Sequence, residues 1–154
     1  MDERNRSRGV LGGIQVKFQD FIEHGLVRKA SPDSALVKSL LFTAEEDLKF
    51  LESLEITSTS SRKIMSNYYD TLRSILEAIA LLEGYKIYSH EAFAYFLKEK
   101  GQEILAKKFD RFREIRNKIN YYGKVISVEE AKEYSEEIKK MILLLKKTYL
   151  QKKI

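Results

Sequence analysis

Apolar residues recur along this chain at the three- and four-residue steps of an α-helix, in blocks separated by short polar or glycine-containing breaks. Ile14, Phe18, Phe21 and Ile22 predict a short amphipathic helix that ends at Gly25. Ser31-Pro32-Asp33-Ser34 reads as a helix start, with serine as the cap, proline at the first helical position and aspartate at the positive end of the dipole. The helix it opens runs to the neighbourhood of Glu55, with Ala44, Leu48 and Leu51 on one face. Thr57-Ser58-Thr59-Ser60-Ser61 is a polar turn. The next helix spans Arg62 to Glu83 with the stripe Ile64, Tyr68, Leu72, Ile75, Ile79 and Leu82, and Gly84 stops it.

Ser89 caps a shorter helix carrying Phe93, Phe96 and Leu97, which stops near Gly101. A further helix holds Leu105, Phe109, Phe112, Ile115 and Ile119 on one side and breaks at Gly123. Ser127-Val128-Glu129-Glu130 has the form of a capping box and opens a last helix with Tyr134, Ile138, Met141, Leu145 and Tyr149 inward. Short loops between long helices imply antiparallel neighbours. The expected fold is therefore all-α: an antiparallel up-and-down bundle of four to five main helices plus a short N-terminal one. It forms a single domain over residues 14–154, preceded by a flexible basic segment at 1–13.

Composition narrows the chemistry. The chain has 154 residues, 44% of them hydrophobic and 33% charged, which suits one globular domain. It contains no cysteine, which excludes disulfides, thiol nucleophiles and thiolate metal sites. One proline and seven glycines argue against a turn-rich β sandwich. No apolar run reaches the ~18–20 residues of a membrane span, and the first residues lack the apolar stretch of a secretory signal, so a cytoplasmic protein is expected. His24 and His90 are far apart without an acidic ligand cluster, so no metal or other cofactor is expected. His24 reads as a cap in the last turn of its helix. There is neither a Walker-type Gly-Lys-Ser/Thr nor a Gly-x-Ser-x-Gly elbow.

The net charge of +5 is concentrated. Residues 98–124 hold nine Lys/Arg against four acids, a balance of +5, while residues 31–56 carry a balance of −4. Two readings of 98–124 stand: a helix facing phosphate, or the solvated outer face of a bundle helix. The C-terminal lysines complement the helix dipole. The aromatic residues of 98–124 lie mostly on the core stripe, so they form no base-stacking platform.

Within that segment, Arg113-Glu114-Ile115-Arg116-Asn117-Lys118-Ile119-Asn120-Tyr121-Tyr122-Gly123 holds the strongest constellation. On a helix of ~100° per residue Arg116 and Asn120 lie ~40° apart, with Arg113 beside them at the edge of the apolar stripe. An arginine there buries its stem and presents a planar fork to a phosphate. The alternative is an ordinary surface pair at the bundle edge. Arg113, Arg116, Lys118 and Asn120 are the candidate phosphate- or nucleotide-binding residues.

The order of several segments resembles the HEPN domain family (higher eukaryotes and prokaryotes nucleotide-binding), in particular its small single-domain prokaryotic and archaeal members. The likeness covers roughly residues 21–145. It is carried by Gly25-Leu26-Val27-Arg28-Lys29-Ala30 before Pro32, Tyr68-Tyr69-Asp70, Glu77-Ala78-Ile79-Ala80-Leu81-Leu82, Gly84-Tyr85-Lys86, Ser89-His90-Glu91-Ala92, and Arg116 to Gly123. The resemblance implies an antiparallel helical bundle, a homodimer, and metal-independent ribonuclease activity. The family's motif is an arginine, usually followed by a polar residue, then histidine after four to six positions. Arg116 and Asn117 match its start, but Tyr121 stands where histidine is expected and no histidine follows Arg116.

A positioned general acid or base contributes about 10²–10⁴-fold, and a phenol is only ~0.1% ionised at pH 7, so Tyr121 is a poor base. By resemblance Arg116, Asn117 and Tyr121 are the candidate catalytic residues of a ribonuclease with a degenerate motif, and His90 has a capping or packing role. The resemblance further implies a toxin-like partner of a minimal nucleotidyltransferase, with Tyr121 and Tyr122 as candidate modification acceptors. The competing expectation is a catalytically inactive dimeric module that binds a partner protein or a nucleotide. A basic DNA-binding role lacks a helix-turn-helix signature.

Overall fold

The computed structural model describes residues 10–11 and 14–151. Two short strands, β1 (Val10–Leu11) and β2 (Ile14–Gln15), pair antiparallel with Leu11 opposite Ile14. Ile14 therefore belongs to a strand rather than to the first helix. That helix, α1 (Phe18–Glu23), starts later because the Asp20 carboxylate accepts the Lys17 backbone N–H at 2.7 Å and fixes the first turn there. Of the segment expected to be flexible, residues 10–11 are thus a strand, and residues 1–9 and 12–13 lie outside the described residues. His24 closes α1 as its C-cap, its Nδ1 2.7 Å from the Asp20 carbonyl oxygen.

Strand β3 (Val27–Lys29) leads into α2 (Ser34–Ser53). The cap of α2 is Asp33, whose side chain accepts the Leu36 N–H at 3.1 Å. The expected serine cap at Ser31 is thus displaced by two residues, and Pro32 precedes the helix. The carboxylate at 33 is the group that reaches the first free amides. After the turn around Ser60 come α3 (Ser61–Leu82), β4 (Tyr85–Ile87), α4 (His90–Glu99), α5 (Glu103–Tyr122) and α6 (Val128–Leu145). The chain continues α6 into a π-helical turn at Lys146–Leu150. Ser89 caps α4, and Ser127 with Glu130 forms the anticipated capping box on α6.

The molecule is mostly helical, with α3 at its centre. That helix packs against α2, α5 and α6, and α4 packs on α5. Its buried face includes Met65, Tyr69, Leu72, Ile75 and Leu76, all without solvent contact. Phe93 of α4 meets Phe109 of α5 edge-on at 6.0 Å between ring centres. Each large apolar side chain buried in this way contributes roughly 1.5–3 kcal/mol. By contrast α2 buries only Val37, Ala44 and Leu51, one residue every two turns, and leaves Phe42 and Phe50 exposed.

The strands β3 and β4 pair antiparallel, Val27 opposite Ile87, and extend through Ala30 N–H to the Gly84 carbonyl at 2.8 Å. This ribbon fastens the α1–α2 connection to the α3–α4 connection. Gly84 has φ of +89°, and a Cβ there would meet the Ala30 carbonyl oxygen at 3.4 Å. The positive φ, rather than any lack of space, is what disfavours a side chain at that turn. Among the described residues no helix is long and apolar enough to cross a membrane.

Candidate functional site

Polar residues interrupt the apolar face of α3 at helical spacing: Ser66, Asp70, Arg73 and Glu77. Ser66 and Asp70 lie where α5 packs, and Glu77 meets Lys86 of β4. Ser66 Oγ donates to Asn120 Oδ1 at 3.4 Å, and one turn further along α3 Asp70 Oδ1 lies 3.6 Å from Arg116 Nη2. The Arg116 guanidinium rests over the ring of Tyr69, its carbon 5.7 Å from the ring centre. Such stacking suits a planar, weakly hydrated cation.

Arg116 is held but not saturated. Its Nε is buried and has no hydrogen-bond partner, and the Asp70 contact is longer than a charge-assisted hydrogen bond. Burial raises the Asp70 carboxyl above its ordinary value, against the opposing pull of Arg116 and Arg73. The 3.6 Å separation marks this pairing as loose.

Arg113 is a different case. It is only 7% exposed, and its Nε and Nη2 both donate to Asp110 Oδ1, at 3.0 and 2.7 Å. A guanidinium so engaged lends positive potential to its surroundings but has two donors committed. On α3, Arg73 donates to Glu77 at 3.3 Å, and Lys86 of β4 pairs with the same carboxylate.

His90, the first residue of α4, enters this cluster from the other side. Its Nδ1 lies 3.1 Å from the hydroxyl of Tyr69, the residue beneath Arg116. Burial and the positive charges of Arg73, Arg116 and Arg113 push its imidazole down to about 4, with Glu77 acting weakly in the opposite sense. Burial pushes the Tyr69 phenol well above its ordinary value, the same arginines opposing. At neutral pH both groups are therefore uncharged.

The sequence-derived residues separate into two groups. Arg113, Arg116 and Asn120 come together along the α3–α5 seam. Asn117 is partly buried, whereas Lys118 is exposed. Tyr121 and Tyr122 form the last turn of α5, 69% and 70% exposed. Tyr121 lies ~140° around the helix from Arg116. Gly123 ends the helix in a left-handed conformation with φ of +67°.

Four residues of the cluster were not among the sequence-derived site residues: Tyr69, Asp70, Arg73 and His90. A signal for three of them was present. Ser66, Asp70, Arg73 and Glu77 form a polar line at steps of four, three and four within an otherwise apolar helix face, and Tyr69 adjoins it. His90 gave no such signal, because its approach depends on how α4 packs. The +5 segment is also partly spent internally: Lys100 pairs with Glu83, Arg111 with Glu137, Arg113 with Asp110 and Arg116 with Asp70. Among the described residues no group of three or more His, Asp or Glu could hold a metal ion. Compared with models of protein families, with curated proteins and with solved structures, the chain matches none.

Proposed function

We propose that this protein is a HEPN-type RNA- or nucleotide-binding protein whose phosphate site is centred on Arg116. The observation that carries the reading is the state of that guanidinium: stacked on Tyr69, loosely paired with Asp70, and left with a buried unpartnered Nε. A phosphate offers two or more oxygens and outcompetes a single distant carboxylate for a planar fork. Arg73 and Arg113 add positive potential from both sides, and Asn120 supplies a neutral polar group one turn away. The pairing of Ser66 with Asn120 and of Asp70 with Arg116 runs in opposite senses along α3 and α5, which supports a HEPN-like antiparallel bundle.

In this reading the protein acts as the toxin-like member of a pair with a minimal nucleotidyltransferase, in the cytoplasm and as a homodimer. Tyr121 and Tyr122 are its modification acceptors, and their exposure supports access by a partner enzyme. Asn117 and Tyr121 complete the degenerate ribonuclease motif with Arg116. One observation favours the second reading, an inactive binding module: Tyr121 leaves α5 ~140° around the helix from Arg116, which works against the two converging on one phosphate.

The deciding experiment incubates single-stranded RNA with the purified protein in chelator, beside Arg116→Ala. Cleavage lost in the variant supports the ribonuclease. RNA binding without cleavage, weakened in the variant, supports the module. Neither binding nor cleavage by the wild type overturns both.

A further inference from the structure

Tyr69 is fully buried, so the proton of its hydroxyl needs an acceptor inside the protein. The acceptor that the structure supplies is Nδ1 of His90, 3.1 Å away. With the phenol donating to Nδ1, a neutral imidazole must carry its own proton on Nε2. The reverse arrangement, Nδ1–H donating to the phenol oxygen, would leave a buried hydroxyl proton unpaired. The ring is half-buried, and among the described residues its Nε2 takes part in no hydrogen bond.

The surroundings explain why a neutral donor suits this position. Arg73 and Glu77 face it from α3, with Asp70 on the same helix and Lys86 of β4 attached to Glu77. Arg113 and Arg116 face it from α5. A fourth positive charge beside these three arginines would repel them when the site is empty. A neutral N–H contributes a donor to an anion at no such cost.

We infer that His90, fixed by Tyr69 with its proton on Nε2, is the neutral hydrogen-bond donor of the Arg116 site, taking a non-bridging phosphate oxygen of a bound RNA or nucleotide. This rests on the phosphate-site reading above and names a further ligand-binding residue for it. His90 touches the ligand; Tyr69 is a positioning residue that selects the tautomer. The residue is thus more than packing for α4.

Two measurements on the full chain test it. Nitrogen-15 NMR of the two imidazoles, His24 being assigned by His24→Gln, reports tautomer and titration. His90 is expected as the Nε2–H form at neutral pH, titrating well below the ordinary imidazole value of 6.5, and Tyr69→Phe is expected to raise its midpoint. An Nδ1–H form overturns the inference. Fluorescence anisotropy with labelled octauridylate, and competition by adenosine monophosphate, report binding. His90→Phe is expected to weaken binding about tenfold or more, and His90→Gln, whose amide N–H reaches the Nε2 position, to stay within about threefold of wild type. If His90→Phe fails to fold, His90→Asn replaces it, since its shorter amide reaches only the Nδ1 position. Equal binding by wild type and the donor-less variant overturns the role of His90 alone. Absence of binding by the wild type to both probes overturns the phosphate site and the donor with it.

Discussion

The hydroxyl of Ser61, the first residue of α3, donates a 3.0 Å hydrogen bond to the carbonyl of Ile126, 65 residues later. Both groups are buried, and Ile126 itself is 1% exposed. The bond anchors the loop that follows Tyr121 and Tyr122 to the start of the central helix. Ser61→Ala leaves a buried carbonyl without its donor and is expected to cost about 1–3 kcal/mol. Urea denaturation should show a lower midpoint with an unchanged slope. A midpoint equal to wild type would show that the loop does not depend on this bond.

Arg113 and Asp110 form a largely enclosed ion pair within α5. Removing the carboxylate alone strands a buried guanidinium, so Asp110→Ala is expected to cost roughly 2–4 kcal/mol, reduced from a fully buried case because Asp110 is partly exposed. The double variant Asp110→Ala with Arg113→Met is expected to recover a large part of that loss. Thermal unfolding of the singles and the double closes the cycle. Additive losses would mean that the two side chains act independently.

Asp70 competes with any anion for Arg116. Asp70→Asn is expected to tighten binding of octauridylate by about two- to tenfold, as one repulsive charge leaves the site. The same variant at high salt should differ less from wild type. Weaker binding in Asp70→Asn would place the carboxylate among the ligand-binding groups instead.

Tyr121→Phe separates the two readings of α5. Because Tyr121 is mostly exposed and lies ~140° around α5 from Arg116, RNA affinity is expected to change less than about twofold. Arg116→Ala should cost tenfold or more in the same titration. A large effect of Tyr121→Phe on binding would bring the phenol back to the phosphate.

The imidazole of His90 sets a pH dependence of stability. Its value in the folded protein, about 4, lies below the ordinary 6.5, so between these limits the unfolded chain binds more protons than the folded one. The contribution of the buried neutral ring is complete above pH 6.5 and is lost progressively as pH falls towards 4. Wild type should therefore lose stability over this window faster than His90→Gln, which has no imidazole at this position. Parallel stability curves from denaturation at successive pH values would contradict that sign.

The helices of this protein were written in local pattern. Stripes such as Ile64, Leu72, Ile75 and Ile79 on α3, the serine caps at 89 and 127, and the stop at Gly123 depend on neighbours within one or two turns, and for that reason they are legible without the fold. The ribbon joining residues 27–29 to 85–87 was not legible, because three-residue strands are too short to show alternation and their partner lies some sixty residues away. Arg113, Arg116 and Asn120 could be placed on one edge of α5 from helical geometry alone. The pairing of Arg113 with Asp110 is likewise local, three residues apart on α5, but what Arg116 and Asn120 face was decided by tertiary packing, which laid Arg116 over Tyr69 beside Asp70 and brought Asn120 to Ser66. The same packing carried His90, one residue past a helix cap, to the hydroxyl of Tyr69. Sequence periodicity fixes the face on which a side chain sits, but charge state and partner depend on through-space distance and burial, which only the packed helices supply.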